Sequence, residues 1–195
     1  MWITCGALAA PTLEKLPMTD DALFWKIVDS TVKFENDPEK QLQALHSALS
    51  EFTLEQIQSY ESSFDSEMRR SYTWDLWGAV YVVHGGASDD SFEYFRCWLI
   101  SKGKRVFEKV LADPDSLADV LAPNVQGMLE FESFAYVARK TWGEKSGKAG
   151  TDMPNAAPMM YLDLQPKGIQ FDDKPASLAK RYPKLWGRFG ANALG

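Results

Sequence analysis

The sequence predicts an all-α protein: a compact orthogonal bundle of about six to eight helices with an irregular C-terminal wrap. Three observations predict it. Apolar residues recur at helical spacing through almost every segment up to residue 145. Capping residues and helix stops punctuate that pattern at regular intervals. From about residue 143 onward Gly and Pro become too frequent for long regular elements. The composition agrees, because 45% hydrophobic and 25% charged residues exclude wholesale disorder, a collagen-like rod and a membrane protein. At 195 residues a single core can hold itself together without disulfides.

The boundaries read as a leader over 1–18, a helical core over 19–145 and a loop-rich segment over 146–195 packed on that core. The leader (Trp2, Ile3, Thr4, Cys5) has no basic residue before Lys15 and only a short apolar stretch, unlike a signal peptide. Thr19, Asp20 and Asp21 suit a helix start, and Phe24, Ile27, Val28 and Val32 follow on one face. Asn36-Asp37-Pro38 stops that helix and opens a second, with Pro38 at a first helical position and Leu42, Leu45 and Leu49 facing inward. Thr53 to Gln56 is a capping-box pattern, opening a third helix through Ile57, Tyr60, Phe64 and Met68. A fourth runs from Tyr72 or Trp74 to His84 and stops at Gly85-Gly86. Ser88-Asp89-Asp90 caps a fifth, apolar on nearly every side and therefore central. Val106, Phe107, Val110 and Leu111 form a short successor, and a turn at residues 113–116 leads to Leu117 and Val120. Phe131, Phe134, Val137 and Ala138 mark a last long helix. Beyond it, Met159, Met160, Tyr161, Leu162, Ile169 and Phe171 make the segment too apolar for a free linker. A short closing helix is expected at 176–182, with Trp186 and Phe189 docking as an anchor.

The net charge of -6 favours solubility and disfavours generic nucleic-acid binding, which needs Lys and Arg to neutralise phosphates. The charge is uneven. Residues 1–138 hold 11 basic and 22 acidic side chains, and residues 139–195 hold 10 and 5. A basic tail lying on an acidic body explains this, as does a tail that contacts an acidic partner. Cys5 and Cys97 are the only cysteines, too few for a disulfide framework, which points to a reducing, cytoplasmic compartment. No run is long enough to span a bilayer.

The candidate site lies in the fourth and fifth helices. Trp74, Trp77, Tyr81 and His84 form one stripe, either a core seam or a wall on which a planar or cationic ligand stacks. His84, beside the Gly85-Gly86 stop, serves either the helix end or, with an orienting partner, as a general base. Asp75, Asp89, Asp90, Glu93 and Arg96 are the polar set. Arg96 sits between Phe95 and Cys97-Trp98, so it is expected to be buried and paired, with Glu93 three residues away on the same face. Asp75 or Asp89 reaches Arg96 only through tertiary folding; an ion pair then locks two helices, or Arg96 holds a ligand carboxylate or phosphate in an acidic, aromatic-lined cleft. With two His and two Cys a zinc site is not expected, and no acidic spacing matches a calcium loop. No cofactor is expected.

Several of these segments also resemble one family. They are Trp74-Asp75-Leu76-Trp77-Gly78-Ala79, the run from Gly85-Gly86-Ala87-Ser88-Asp89-Asp90 through Phe95-Arg96-Cys97-Trp98 to Gly103, and Ala112-Asp113-Pro114-Asp115-Ser116-Leu117. The opening Phe24-Trp25, Glu130-x-Glu132-x-Phe134 and the closing Tyr182-Pro183-Lys184-Leu185-Trp186-Gly187-Arg188-Phe189 continue the pattern. Together they resemble the domain of unknown function 4240 family, from about residue 20 to residue 189. The resemblance implies a mostly helical bacterial protein and supplies no catalytic residues. The functional expectation is a cytoplasmic binding or regulatory module, the immunity type being one form, with a protein partner or a small-molecule ligand. The alternative is an enzyme using a carboxylate pair in the aromatic cleft. The oligomeric state stays open.

Overall fold

The computed structural model describes residues 21–154 and 165–195. The leader, Cys5 and the Met159–Leu162 cluster lie outside the described residues. Within them the chain is helical, with no strand, in ten α-helices joined by turns, three of them short 3-10 segments. The all-α class therefore holds, while the count exceeds the six to eight expected.

Helix α1 (Asp21–Thr31) buries Phe24, Trp25, Ile27 and Val28. Helix α2 (Pro38–Ser50) starts as its sequence dictates, with the Asp37 carboxylate accepting from the Lys40 amide and Pro38 in the first turn. Helix α3 (Leu54–Arg70) opens with a complete capping box between Thr53 and Gln56. Helix α4 (Trp74–His84) is capped by Thr73 and ends at Gly85, whose φ of 74° lies in the left-handed region. Helix α5 (Asp89–Ser101) is capped by Ser88. The helix α6 (Lys104–Ala112) and the single-turn α7 (Leu117–Val120) follow. Helix α8 (Ser133–Ser146) follows Phe131, whose amide donates to the Tyr94 carbonyl of α5.

The core is one cluster. Leu76, Val80 and Val83 of α4 and Phe92, Phe95, Leu99 and Ile100 of α5 are buried at its centre, and α1, α3, α6 and α8 pack around them.

The C-terminal wrap is more regular than its composition indicated. It makes one parallel bridge, in which Lys167 donates to the Tyr72 carbonyl and accepts from the Trp74 amide, at 3.0 and 2.9 Å. Two short helices then follow where one was expected: α9 (Pro175–Arg181) and α10 (Pro183–Phe189). Each begins with a proline at its first position, where the missing amide costs nothing. Leu185, Tyr182 and Phe189 are buried, while Trp186 is half-buried. Asp115 caps α10 across the fold, accepting from the amides of Lys184 and Leu185 at 3.1 and 2.9 Å. Gly78 lets the wrap approach α4, since a Cβ there would lie 2.3 Å from the Tyr182 hydroxyl.

The basic tail meets the acidic body directly. Arg181 pairs with Asp75, Lys184 with Asp119, and Arg188 donates to the carbonyls of Ala118, Leu121 and Ala122 at the end of α7.

Candidate functional site

Seven of the nine residues singled out in α4 and α5 fall into three separate arrangements, and Asp89 and Asp90 stand apart from them. The first is an aromatic ladder. Trp74 stacks on Trp77 with centroids 5.3 Å apart, and Trp77 stacks on Phe92 at 4.9 Å. The indole N–H of Trp77 donates to the Ala87 carbonyl at 3.1 Å. Both faces and the polar edge of Trp77 are thus occupied, so the stripe is a core seam at this point and offers no open ring to a ligand. Tyr81 and Trp74 are both covered by Phe171 of the wrap.

Arg96 completes the ladder. It is 2% exposed, as its neighbours predicted. Its guanidinium lies 4.8 Å from the Tyr72 ring and 5.0 Å from the Phe92 ring, and it donates to the Met68 carbonyl at 2.7 Å. It therefore ties α5 to the last turn of α3, where helix carbonyls lack partners and the dipole is negative. Half-buried Glu93 shares this environment. Burial raises its carboxyl above the usual range and the Arg96 charge opposes that rise. Arg96 is thereby a bolt between helices.

The second arrangement surrounds Asp75. It does not face Arg96. Its carboxylate accepts from Arg181 Nε at 2.8 Å and from the Tyr182 hydroxyl at 3.1 Å, and its carbonyl accepts from the same hydroxyl. Sequence reasoning missed Arg181 and Tyr182 because they lie more than a hundred residues downstream.

The third is a hydrogen-bonded chain at the end of α4. The Leu129 amide donates to His84 Nε2 at 3.1 Å, which leaves the proton on Nδ1, facing the Ser91 hydroxyl at 3.4 Å. Ser91 in turn donates to Glu130 at 2.8 Å. The set contains Ser, His and a carboxylate, yet the order defeats nucleophilic catalysis. The only basic nitrogen of His84 is already capped by a backbone amide, so it cannot take the serine proton. Burial holds the imidazole neutral, pushing its pKa down to about 4.

Asp89 and Asp90 stand exposed in the first turn of α5, where they suit the helix dipole. Asp75 is instead engaged by Arg181 and Tyr182. Among the described residues no group of three His, Cys, Asp or Glu side chains is placed to hold a metal ion, and no helix is long and apolar enough to cross a membrane.

What the sequence did not reveal is a surface beside α5. Glu130 and Glu132 flank Phe131, which is pinned to the Tyr94 carbonyl. Asp90, Glu93, Glu130 and Glu132 all bear on the Tyr94 hydroxyl and hold its proton more tightly than usual. The exposed Tyr136 donates to Glu132 at 2.8 Å, which helps push its pKa up to about 12. Among the described residues no Lys or Arg pairs with Asp89, Asp90, Glu130 or Glu132. This acidic, tyrosine-bearing face runs into a groove of about 530 Å³ between α2 and α8, with Leu42, Val137 and Tyr136 among its walls. Asp89, Asp90 and Glu93 of this face were among the candidate residues, and Glu130 and Glu132 join them only through folding.

Comparison with known proteins returned no match among curated proteins and none among solved structures. A family model does match, over residues 18–144, which is more than half of the chain. The chain therefore belongs to the family described as protein of unknown function (DUF4240).

Proposed function

We propose that the protein is a non-catalytic binding module whose partner is a basic protein. The observation that carries this reading is the acidic face built by Asp89, Asp90, Glu93, Glu130 and Glu132 around Tyr94 and Tyr136. Asp75, Asp115 and Asp119, by contrast, are taken up by partners from the C-terminal segment. Here Asp89, Asp90 and Glu130 face solvent beside the exposed Tyr136 and the half-buried Tyr94, and tyrosine gives an interface rigid contact area. Such a face speeds encounter with a positively charged partner and discriminates against acidic ones. Neutralising a basic toxin domain, as immunity proteins do, is one form of this role. The reading assumes a bacterial cytoplasm, in keeping with the buried free thiol of Cys97.

The test compares the protein with its Asp90→Lys/Glu132→Lys variant as bait in lysate of the source cells. Proteins of basic isoelectric point, retained by the wild type at low salt and lost from the variant, are expected. Retention of the same proteins by both baits, or an acidic partner, overturns the reading.

A further inference from the structure

The groove between α2 and α8 gives the proposed interface a second, more selective part. Its volume, about 530 Å³, lies in the range of ligand pockets. Leu42 of α2 and Val137 of α8 supply apolar wall, and Gln43, Ser47 and Ser133 supply hydrogen-bonding groups. Tyr136 lines the groove and is 43% exposed. These side chains come from long helices packed on the core, so the walls are held in place before anything binds.

The groove is electrically lopsided. At one end the Tyr136 hydroxyl is bonded to Glu132, and through Glu132 the groove joins the acidic face of Glu93, Glu130 and Asp90. Farther along α8, Lys140 reaches the lining, and His46 meets Glu144 at 2.6 Å. A bound segment therefore meets carboxylates at the Ser133–Tyr136 end and mixed charge at the other.

We infer that the groove receives a short basic segment of a partner protein. An apolar side chain of the segment seats on Leu42 and Val137 against Tyr136, and an adjacent Lys or Arg reaches Glu132. The inference rests on the reading of the acidic face as a partner surface and adds the chemistry of what is recognised. Charge complementarity sets the orientation of the segment, and the apolar seat supplies the discrimination that a charged face alone lacks.

Three synthetic peptides test it: one of Lys and Leu, one with Glu in place of Lys, and one with Ser in place of Leu. Amide NMR shifts of the full chain are followed at Gln43, Ser47, Ser133 and Val137 for the groove, and at Asp90, Tyr94 and Glu130 for the face. The Lys/Leu peptide is expected to shift both sets. The Glu/Leu peptide is expected to shift neither, and the Lys/Ser peptide only the face. Tyr136→Ala should weaken the Lys/Leu peptide about tenfold. Gln43→Trp, which fills the groove from α2, should abolish the groove shifts and leave those of the face. Equal binding of the Glu/Leu peptide overturns the inference, as does Lys/Leu binding insensitive to both substitutions. Shifts confined to the face overturn the groove and leave the acidic partner surface standing. An absence of any shift at low salt overturns both.

Discussion

Arg96 lies flat between two rings and spends one donor on a helix-end carbonyl, 28 residues away in the chain. Its burial was legible, because a cation between Phe95 and Cys97-Trp98 has few routes to water. Its main partner was not, because a backbone carbonyl has no residue-type signature. The partner also sets the cost of removing the charge. In Arg96→Met the Met68 carbonyl keeps the Ser71 hydroxyl at 3.1 Å, and half-buried Glu93 can reach water. Arg96→Met should therefore destabilise by about 1–3 kcal/mol, below the loss seen when a buried charge is stranded. An unchanged urea midpoint would mean that the contacts only offset desolvation. His84 gives a pH dependence of known sign. Its folded pKa of about 4 lies below the usual 6.5, so the unfolded chain takes up the proton first. Its contribution is complete above pH 6.5 and is lost as pH falls from 6.5 to 4, by up to about 3 kcal/mol. His84→Gln, whose side-chain oxygen can still accept from Leu129, should flatten that part of the curve. Parallel wild-type and variant curves of stability against pH would show that His84 is not buried neutral.

At the scale of elements, the helices up to α6 were legible because each carries its own start and stop: Asp37-Pro38, Thr53 to Gln56, Ser88, Gly85. The tail was harder to read because its signals are double-valued. Pro175 and Pro183 count as breakers inside a helix and as starters at its first position, and only the fold decides between them. Helix α10 also takes its cap from Asp115, roughly seventy residues away, which a local scan cannot see. Two substitutions probe how the tail is held. Gly78→Ala should favour α4 as an isolated helix by up to about 1 kcal/mol. It should nevertheless destabilise the protein by about 1–3 kcal/mol, because the new methyl collides with the Tyr182 hydroxyl and the Phe171 ring. Asp115→Ala leaves two amides of α10 uncapped and should cost about 1–2 kcal/mol. Hydrogen exchange should quicken over residues 165–195 in both variants. Exchange that quickens instead within α3 or α5 would show that the damage lies in the body.

Across the whole molecule, the charge asymmetry announced in the sequence becomes a docking scheme. The basic C-terminal stretch neutralises Asp75 and Asp119, and the acidic excess that remains gathers where α5 meets the 128–132 loop. The sequence carried the imbalance but not its address, since Glu130, Glu132, Asp90 and Glu93 meet only after α8 packs against α5. The candidate site shows the same division. Folding distributes its residues among the aromatic ladder, the Asp75 contacts and the His84 chain, and leaves Asp89 and Asp90 exposed on the acidic face. Whether the tail docks as one unit follows from the coupling of its two ends. Tyr182 and Arg181 grip α4, Asp115 and Asp119 grip α10, and only residue 182 separates α9 from α10. Loss of either grip should release the other, because each is aligned by the same rigid pair of helices. The Gly78→Ala/Asp115→Ala double variant should then cost no more than the larger single loss, within about 0.5 kcal/mol. Independent docking of the two ends would instead make the two losses add, and a urea-based double-mutant cycle with no coupling energy would show it.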